Sequence, residues 1–161
     1  MMTPPSVSGA EGLTDLLHRS IPLTAAMALE LQAYDVRSLS LKLPLQPNRN
    51  DKGCAFGGSL ASALTLAGWS LATLALVEAG LQGEVFVAES TLRYLLPVWS
   101  DCVACARLAE DASWDRALRA LRQRGRGRIH LQAEILLPDG RIAASMQARY
   151  ALLAPGQAAT A

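Results

Sequence analysis

Apolar and polar residues alternate through most of the second half of the chain, which is the pattern of strands with one buried face. In segment 128–136 the apolar positions are Ile129, Leu131, Ala133 and Ile135, and the residues between them are polar or charged. In segment 142–152 the apolar positions are Ile142, Ala144, Met146, Ala148 and Tyr150. Four further strands are predicted, at 29–34, 36–45, 85–97 and 102–108.

Three other segments have a helical pattern. Residues 11–19 place leucines on one face before Pro22 ends the helix, and residues 113–122 form a second short amphipathic segment. Residues 54–77 carry no formal charge and predict one long buried helix. This order of elements predicts an α+β fold of the hotdog type, an antiparallel sheet wrapped around one long central apolar helix. The last four strands are expected to follow one another as a meander, with Pro138-Asp139-Gly140 as a hairpin turn.

The uncharged segment 54–77 is also long enough to span a bilayer. It is rich in Ala, Ser, Thr and Gly, and no basic cluster lies close to either end to set an orientation. The remaining strands also need an apolar partner to cover. We therefore expect no membrane span.

Length and composition set the wider limits. The 161 residues fit one domain, which we place at 11–154, between a disordered lead at 1–10 and a disordered tail at 155–161. A net charge of +1 points to neither nucleic acid nor an anionic membrane as partner. Residues 1–12 have no lysine or arginine before an apolar core, so we do not expect them to be a secretory signal, and three cysteines form no even disulfide framework; we therefore expect a cytoplasmic protein. The Cys102/Cys105 pair lies in a predicted strand and would face opposite sides, so no metal site is expected.

A polar loop leads into the uncharged helix and is the main candidate for chemistry. Its sequence, PNRNDKGCAFGG, ends in Gly57 and Gly58. Backbone N–H groups at a helix start are unpaired, and glycines would let a substrate carbonyl approach them, so an oxyanion hole is predicted here. The alternative is that the glycines only make a sharp turn, and that Asn48, Asn50 and Asp51 only order the loop. We expect Cys54 to be a packing residue.

Three segments together resemble a known family. They are IPLTAAMALEL, PLQPNRNDKGCAFGGSLASALTLAGW and LRYLLPV, and the similarity runs from about Leu13 to Leu153. The chain resembles stand-alone hotdog proteins similar to the C-terminal domain of the enterobacterial YiiD protein, a family long labelled as thioesterases. Proteobacterial members are described as malonyl-acyl-carrier-protein decarboxylases, some with an added acetyltransferase domain.

The resemblance implies a function and an assembly. It makes Asn50 the catalytic position and implies a homodimer, or a dimer of dimers, whose sheets join edge to edge with active sites at the interface. The substrate would carry phosphopantetheine or coenzyme A into a tunnel, as an acyl-carrier-protein or CoA thioester, and no separate cofactor is expected.

Two reactions compete for such a site. Hydrolysis needs a base to activate water, and the candidates are Asp51 and Glu89, the latter from the next strand or from a partner subunit. Decarboxylation chiefly needs hydrogen-bond donors for an enolate, which Asn50 and the glycine backbone offer. Phe56 would provide an apolar wall, and Ser59, on the first helical turn, is a further substrate-binding candidate. A non-catalytic acyl-binding protein is the third alternative.

Arginines alternate with glycines in the segment RQRGRGRIH. Arg124, Arg126 and Arg128 are expected to share one strand face and to bind a pantetheine phosphate, coenzyme A or an acidic carrier protein. The alternative is a solvated sheet edge that discourages aggregation. No nucleic acid is expected, because the run is short and has no aromatic partners.

Overall fold

One antiparallel sheet of six strands forms the body of the protein in the computed structural model, which describes residues 9–157. The strands are β1 Glu30–Asp35, β2 Ser38–Leu43, β3 Glu84–Tyr94, β4 Cys102–Leu108, β5 Arg126–Leu136 and β6 Ile142–Leu153. The helices are α1 Leu13–Ser20, α2 Pro22–Ala26, α3 Gly57–Glu78 and α4 Trp114–Arg124. Of the expected disordered ends, residues 1–8 and 158–161 lie outside the described residues, while a short 3-10 helix begins at Ala10.

The strand order corrects one prediction. The sheet runs β1-β2-β4-β5-β6-β3, so the last four strands do not form a meander. β3 pairs with β6 at the far edge, and β4 pairs with β2, seven residues after β3 has ended. The chain therefore crosses the whole width of β5 and β6 between these two strands. The predicted turn is confirmed, since Asp139 and Gly140 lie in the β5–β6 hairpin, with Gly140 at a φ of 83°.

α3 is the central helix of this sheet, as predicted. It contacts β2, β3, β4, β5 and β6. Half of its residues are buried, including Leu60, Leu64, Leu71 and Leu74. By length and composition α3 could cross a membrane, but most of its apolar part is covered inside the domain. The protein thus has a hotdog fold in which a sheet encloses an apolar helix.

Close contact between α3 and the sheet depends on a glycine. Tyr150 of β6 is fully buried, and its hydroxyl donates a hydrogen bond of 2.8 Å to the carbonyl oxygen of Thr65 on α3. A Cβ atom on Gly68 would lie 2.3 Å from that hydroxyl oxygen. Gly68 therefore makes room for the tyrosine ring, and the height of α3 above the sheet follows from this contact.

α4 lies near the C-terminal end of α3, the central helix. Ser113 caps its first turn by accepting from the Arg116 N–H, and Gly125 ends it in the left-handed region with a φ of 69°. α4 packs on the start of β5, where a Cβ on Gly127 would come within 2.4 Å of the Ala117 carbonyl oxygen. Since Gly127 and Ile129 share the buried face of β5, α4 lies on the same side of the sheet as α3.

Two local predictions were wrong. Arg124 is the last residue of α4 rather than part of a strand, because the chain turns at Gly125 before β5 begins. Ile142 is exposed and does not share the buried face of β6, because the pairing shifts by one residue between Ile135 and Leu136. Such a shift turns the side chains beyond it to the other face.

Candidate active site

Asn48 holds the polar loop in place from inside. Its side chain is buried, and its Nδ2 donates to the carbonyl oxygens of Met27 and Pro44, each at 2.8 Å. The backbone carbonyl oxygen of Asn48 accepts from the Phe56 N–H at 2.7 Å. The Nδ2 group ties three segments together, which favours the structural interpretation of Asn48 over substrate binding, while the buried Oδ1 has no hydrogen-bond partner among residues 9–157.

Asn50 lies half-buried at the turn of the loop. Its Oδ1 accepts from the Lys52 backbone N–H at 2.8 Å, and its backbone N–H donates to the Cys54 carbonyl oxygen at 2.8 Å. The Lys52 N–H can pair only with an oxygen, so Nδ2 must point the other way, towards Cys54 Sγ at 3.2 Å. An amide nitrogen carries two N–H groups, and one of them remains for a ligand.

Asp51 is a surface residue. Its carboxylate is 77% exposed and forms an ion pair of 2.8 Å with Lys52, itself well exposed. Such a pair contributes little to stability and leaves the carboxylate in water. Asp51 is therefore next to Asn50 in sequence but is not enclosed with it.

The start of α3 carries the predicted glycines. Phe56 precedes the helix, and no side chain caps the first turn, so the backbone N–H groups there have no helical partner. A Cβ on Gly57 would touch the Tyr94 ring at 3.4 Å, and a Cβ on Gly58 would collide with the Phe56 ring at 2.2 Å. The space next to the two glycines is thus occupied by aromatic rings, one of which, Phe56, is 56% exposed.

A pocket of about 270 Å³ opens beside this helix start. Its walls are Ala55, Gly57, Leu60, Tyr94, Leu95, Leu96, Pro97 and Val98. The Tyr94 hydroxyl is the polar side-chain group on these walls, and it donates to the Gly57 carbonyl oxygen at 2.9 Å. Gly57 lines the pocket, whereas Gly58 and the half-buried Ser59 do not belong to its walls. The lining is therefore apolar, with a helix N-terminus at one wall.

Asn50 is connected to this pocket rather than part of its wall. The Ala55 N–H donates to the Val98 carbonyl oxygen at 2.8 Å, and Ala55 also bridges to Arg49. These bonds join the Asn50 turn to the segment that follows β3. Tyr94 was missed by the sequence analysis; an aromatic residue at the end of an exposed strand was the available signal.

Glu89 does not lie near the loop in the described protomer. It is opposite Arg149 on the outer face of the sheet, away from α3, and its carboxylate lies 3.2 Å from an Arg149 nitrogen. Thr91, His130 and Gln147 surround this ion pair in a shallow depression of about 200 Å³. A partner strand that continued the sheet would carry its own Glu89 on the same outer face. Glu89 is thus poorly placed as a base for the pocket.

The three predicted arginines are divided between two elements. Arg126 and Arg128 share the outer face of β5, as expected, while Arg124 ends α4. β5 is paired on both sides, by β4 and β6, so these charges do not protect a sheet edge. The interpretation of this segment as an edge is therefore wrong, because the edges of the sheet are β1 and β3.

Burial raises the pKa of several groups outside the pocket. Burial, and to a lesser extent Asp101, raises the pKa of the Cys102 thiol to about 12. Burial also raises the pKa of Tyr150, and burial together with the Glu78 carboxylate raises that of Tyr34. Cys105 lies on the opposite face of β4 from Cys102. Within residues 9–157 no three potential metal-binding side chains lie together.

Known proteins share this fold. A protein of unknown function from Chlorobaculum tepidum is 28% identical, with a TM-score of 0.83, over 90% of this chain and 94% of that one. A "putative thioesterase" from Shewanella oneidensis is 26% identical, with a TM-score of 0.79, over 91% and 97%. A probable thioesterase from Pseudomonas aeruginosa shares the fold, at 24% identity and a TM-score of 0.75, over 89% and 93%.

The family assignment rests on the sequence as well. Residues 10–154 match the family described as "Putative thioesterase (yiiD_Cterm)", a stretch that includes the Asn50 loop, α3 and all six strands. The chain belongs to this YiiD C-terminal family of thioesterase-like hotdog proteins.

Proposed function

We propose that the protein decarboxylates a malonyl thioester, in the form of malonyl-acyl-carrier-protein or malonyl-CoA, to the acetyl thioester. The observation that carries the proposal is the chemical character of the site. Hydrogen-bond donors lie at the Asn50 turn and at the uncapped start of α3, and among the described residues that line the pocket there is no carboxylate or histidine.

The reaction fits this set of groups. The bond between the malonyl carboxylate carbon and the α-carbon breaks, carbon dioxide leaves, and the electron pair forms an enolate on the thioester oxygen. An Asn50 N–H and the backbone N–H groups of the first α3 turn would donate to that oxygen. Each such donor is worth roughly a hundredfold or more in rate. A proton from solvent then returns to the α-carbon, which yields the acetyl thioester.

Apolar walls assist the departure of the carboxylate. Leu60, Leu95 and Val98 offer no hydrogen bond to it, and the Phe56 ring stands at the entrance of the helix. A negative charge is less stable in such surroundings than in water, and carbon dioxide is neutral. Decarboxylation thus removes the charge that the pocket disfavours.

Hydrolysis by the same pocket is the second candidate, supported by the names of the family and of two similar structures. It requires a base close to the thioester carbon. Asp51 is the nearest carboxylate in the sequence, and it would have to leave Lys52 and the solvent to act. A non-catalytic acyl-binding role is the third candidate.

The partner in the assembly is a second copy of the chain, joined through β3. β3 is a long free edge with Phe86 and Val87 exposed, and such an edge is prone to pair. Antiparallel self-pairing centred on Thr91 would place Glu89 opposite the partner's Arg93 at two symmetric positions. We expect a homodimer, or a dimer of such dimers, with Tyr94 and its pocket beside the interface.

The proposed cellular location rests on the state of the cysteines. The three cysteines are free, which fits a reducing compartment, and we place the reaction in the cytoplasm. The thioester carries its own pantetheine arm, so the reaction as proposed uses no further cofactor.

The test is to incubate the purified protein with malonyl-carrier-protein and to follow the carrier by mass spectrometry. Acetyl-carrier-protein is the expected product; free-thiol carrier without the acetyl form would mean hydrolysis, and no change would favour the binding role. Asn50→Asp is the sharpest variant, because it keeps the acceptor for the Lys52 N–H but removes the amide donor. We expect at least a hundredfold loss of turnover with an unchanged unfolding midpoint. Full turnover in Asn50→Asp would refute the role of Asn50.

A further inference from the structure

Positive charge is concentrated in one short part of the chain. Residues 116–128 contain six of the fifteen basic residues and no acidic residue. The rest of the chain has nine basic and fourteen acidic residues, a net charge of −5 against +6 for this segment. We name this set the arginine cluster; its members are Arg116, Arg119, Arg122, Arg124, Arg126 and Arg128.

The arginine cluster is exposed and has no internal counter-charge. All six side chains belong to exposed residues, and none forms an ion pair within residues 9–157. By contrast, four of the other nine basic residues do form one. Arg122 donates to the Ala79 carbonyl oxygen at the end of α3, which anchors α4 there. Like charges three residues apart on a helix, as at Arg116, Arg119 and Arg122, repel one another, and an acidic partner would relieve that repulsion.

The cluster is far from the pocket of its own subunit. α4 and the start of β5 lie at the C-terminal end of α3, and a 22-residue helix is about 32 Å long. The pocket lies at the N-terminal end of that helix. Across the sheet, Arg128 is level with Ala151 and Phe86, and Arg126 is level with Leu153 and Glu84. The arginine cluster is therefore level with the first residues of β3. The pocket is level with the last residues of β3.

If two β3 strands pair edge to edge, the arginine cluster of one subunit comes near the pocket of the other subunit. In the antiparallel pair centred on Thr91, Tyr94 of one β3 lies opposite residue 88 of the other, and residues 84–87 of that second strand extend past Tyr94. With strands about 4.8 Å apart, the partner's β5 would lie only about 14 Å from this edge, beyond its β3 and β6. The pocket of one subunit and the arginine cluster of the other would then be neighbours.

We infer that the arginine cluster of each subunit is the docking surface for an acidic carrier protein whose thioester enters the pocket of the other subunit. This inference rests on the proposed function and on the β3-paired dimer. A carrier protein fits better than coenzyme A, because Arg116, Arg119 and Arg122 recur every three residues along α4, whereas Arg126 and Arg128 face the other side of the sheet. A row of guanidinium groups along a helix matches an acidic helix with a pantetheine phosphate at its end.

Charge reversal tests the docking surface. In Arg116→Glu/Arg119→Glu we expect carrier-protein affinity, measured by fluorescence anisotropy with labelled holo-carrier, to fall at least tenfold and to lose most of its salt dependence. The matched control is Arg19→Glu/Arg37→Glu, which makes the same charge change at exposed sites outside the cluster. Equal weakening by both pairs, or by neither, would overturn the inference, as would binding of a labelled RNA in preference to the carrier.

Mixed dimers test the exchange between subunits. Asn50→Asp and Arg116→Glu/Arg119→Glu subunits are each impaired alone on malonyl-carrier-protein. If the cluster acts on the opposite pocket, a mixed dimer keeps one intact site. Random mixing should then restore about a quarter of wild-type activity, because half of the dimers are mixed and one site in each is complete. No recovery in dimers shown by mass to be mixed would refute the arrangement.

The docking surface and the decarboxylase activity can each be refuted without refuting the other. If the wild type binds the carrier through the cluster but forms no acetyl product, the docking surface stands and the decarboxylase proposal fails. If acetyl product forms at the same KM in the wild type and in the charge-reversed variant, the decarboxylase proposal stands and the docking surface is refuted.

Discussion

Replacing Gly68 with alanine should destabilise the protein, although the same change in an exposed helix is stabilising by about 1 kcal/mol. The new Cβ would lie 2.3 Å from the Tyr150 hydroxyl oxygen and 2.6 Å from the ring carbon that bears it. Tyr150 is fully buried, so its ring cannot swing out into solvent. Overpacking of this kind costs about 1–3 kcal/mol, and displacing the hydroxyl from the Thr65 carbonyl oxygen adds about 1 kcal/mol. We expect a net loss of about 2 kcal/mol.

Urea unfolding at one fixed protein concentration measures this loss, since a dimer's stability depends on concentration. Gly58→Ala is the matched control: its Cβ also meets a ring, but Phe56 is exposed and can rotate away. We expect that variant to stay within about 1 kcal/mol of wild type. In the double variant Gly68→Ala/Tyr150→Phe the loss should be smaller than the sum of the two single losses, because the closest atom is gone. A Gly68→Ala protein more stable than wild type would refute the reasoning.

Three further predictions concern the site and its surroundings. Cys54→Ala should lower turnover about tenfold with little change in KM, because the Asn50 amide loses its anchor, while Cys54→Ser should restore most of it; steady-state kinetics of both variants decide this. Tyr94→Phe should cost about 1 kcal/mol in urea unfolding through the lost bond to Gly57, and an unchanged midpoint would contradict that. Stability should fall as pH rises from about 9 towards 12, because the unfolded Cys102 thiol ionises near 9 while the buried one keeps its proton. At pH 10 the loss is about 1 kcal/mol relative to pH 8, and Cys102→Ala should remove this part of the pH dependence.

Most of the fold could be predicted because each element has a local signal. The alternation at Ile129, Leu131 and Ala133 indicated a strand directly, and the uncharged run indicated the buried helix. Pairing partners have no such signal. β3 joins β6, some fifty residues later, because both strands meet over α3, and periodicity does not encode that choice. The exposed Ile142 has the same origin, since a single shift in register is invisible in the pattern.

The sequence identified the loop that carries the site, but it did not determine how the side chains of the site are placed relative to one another. The polar residues before the two glycines identified the right segment, and the structure gives Asn48 and Asn50 different surroundings, one buried and one half-buried. Glu89 and Tyr94 are two residues whose positions relative to the pocket could not be predicted from the sequence. They lie five residues apart on one strand, yet a bulge between Val87 and Glu89 and the alternation of faces place one carboxylate outside and one hydroxyl at the pocket. Which face an edge strand turns inward depends on its partner.

The order in which the central helix and its cover are synthesised has a consequence in the cell. α3 is complete at Glu78, but the strands that enclose it end only at Leu153, 75 residues later. At a translation rate of about 5–20 residues per second, the last strand is therefore synthesised roughly 4–15 seconds after α3. Until then α3, which is long and apolar enough to enter a bilayer, is not enclosed by the complete sheet. During that interval the apolar surface of α3 lacks its sheet, and exposed surface of this kind is aggregation-prone and is what chaperones protect. The small residues of α3, which suit close packing under the sheet, also make it a poor insertion signal during this wait.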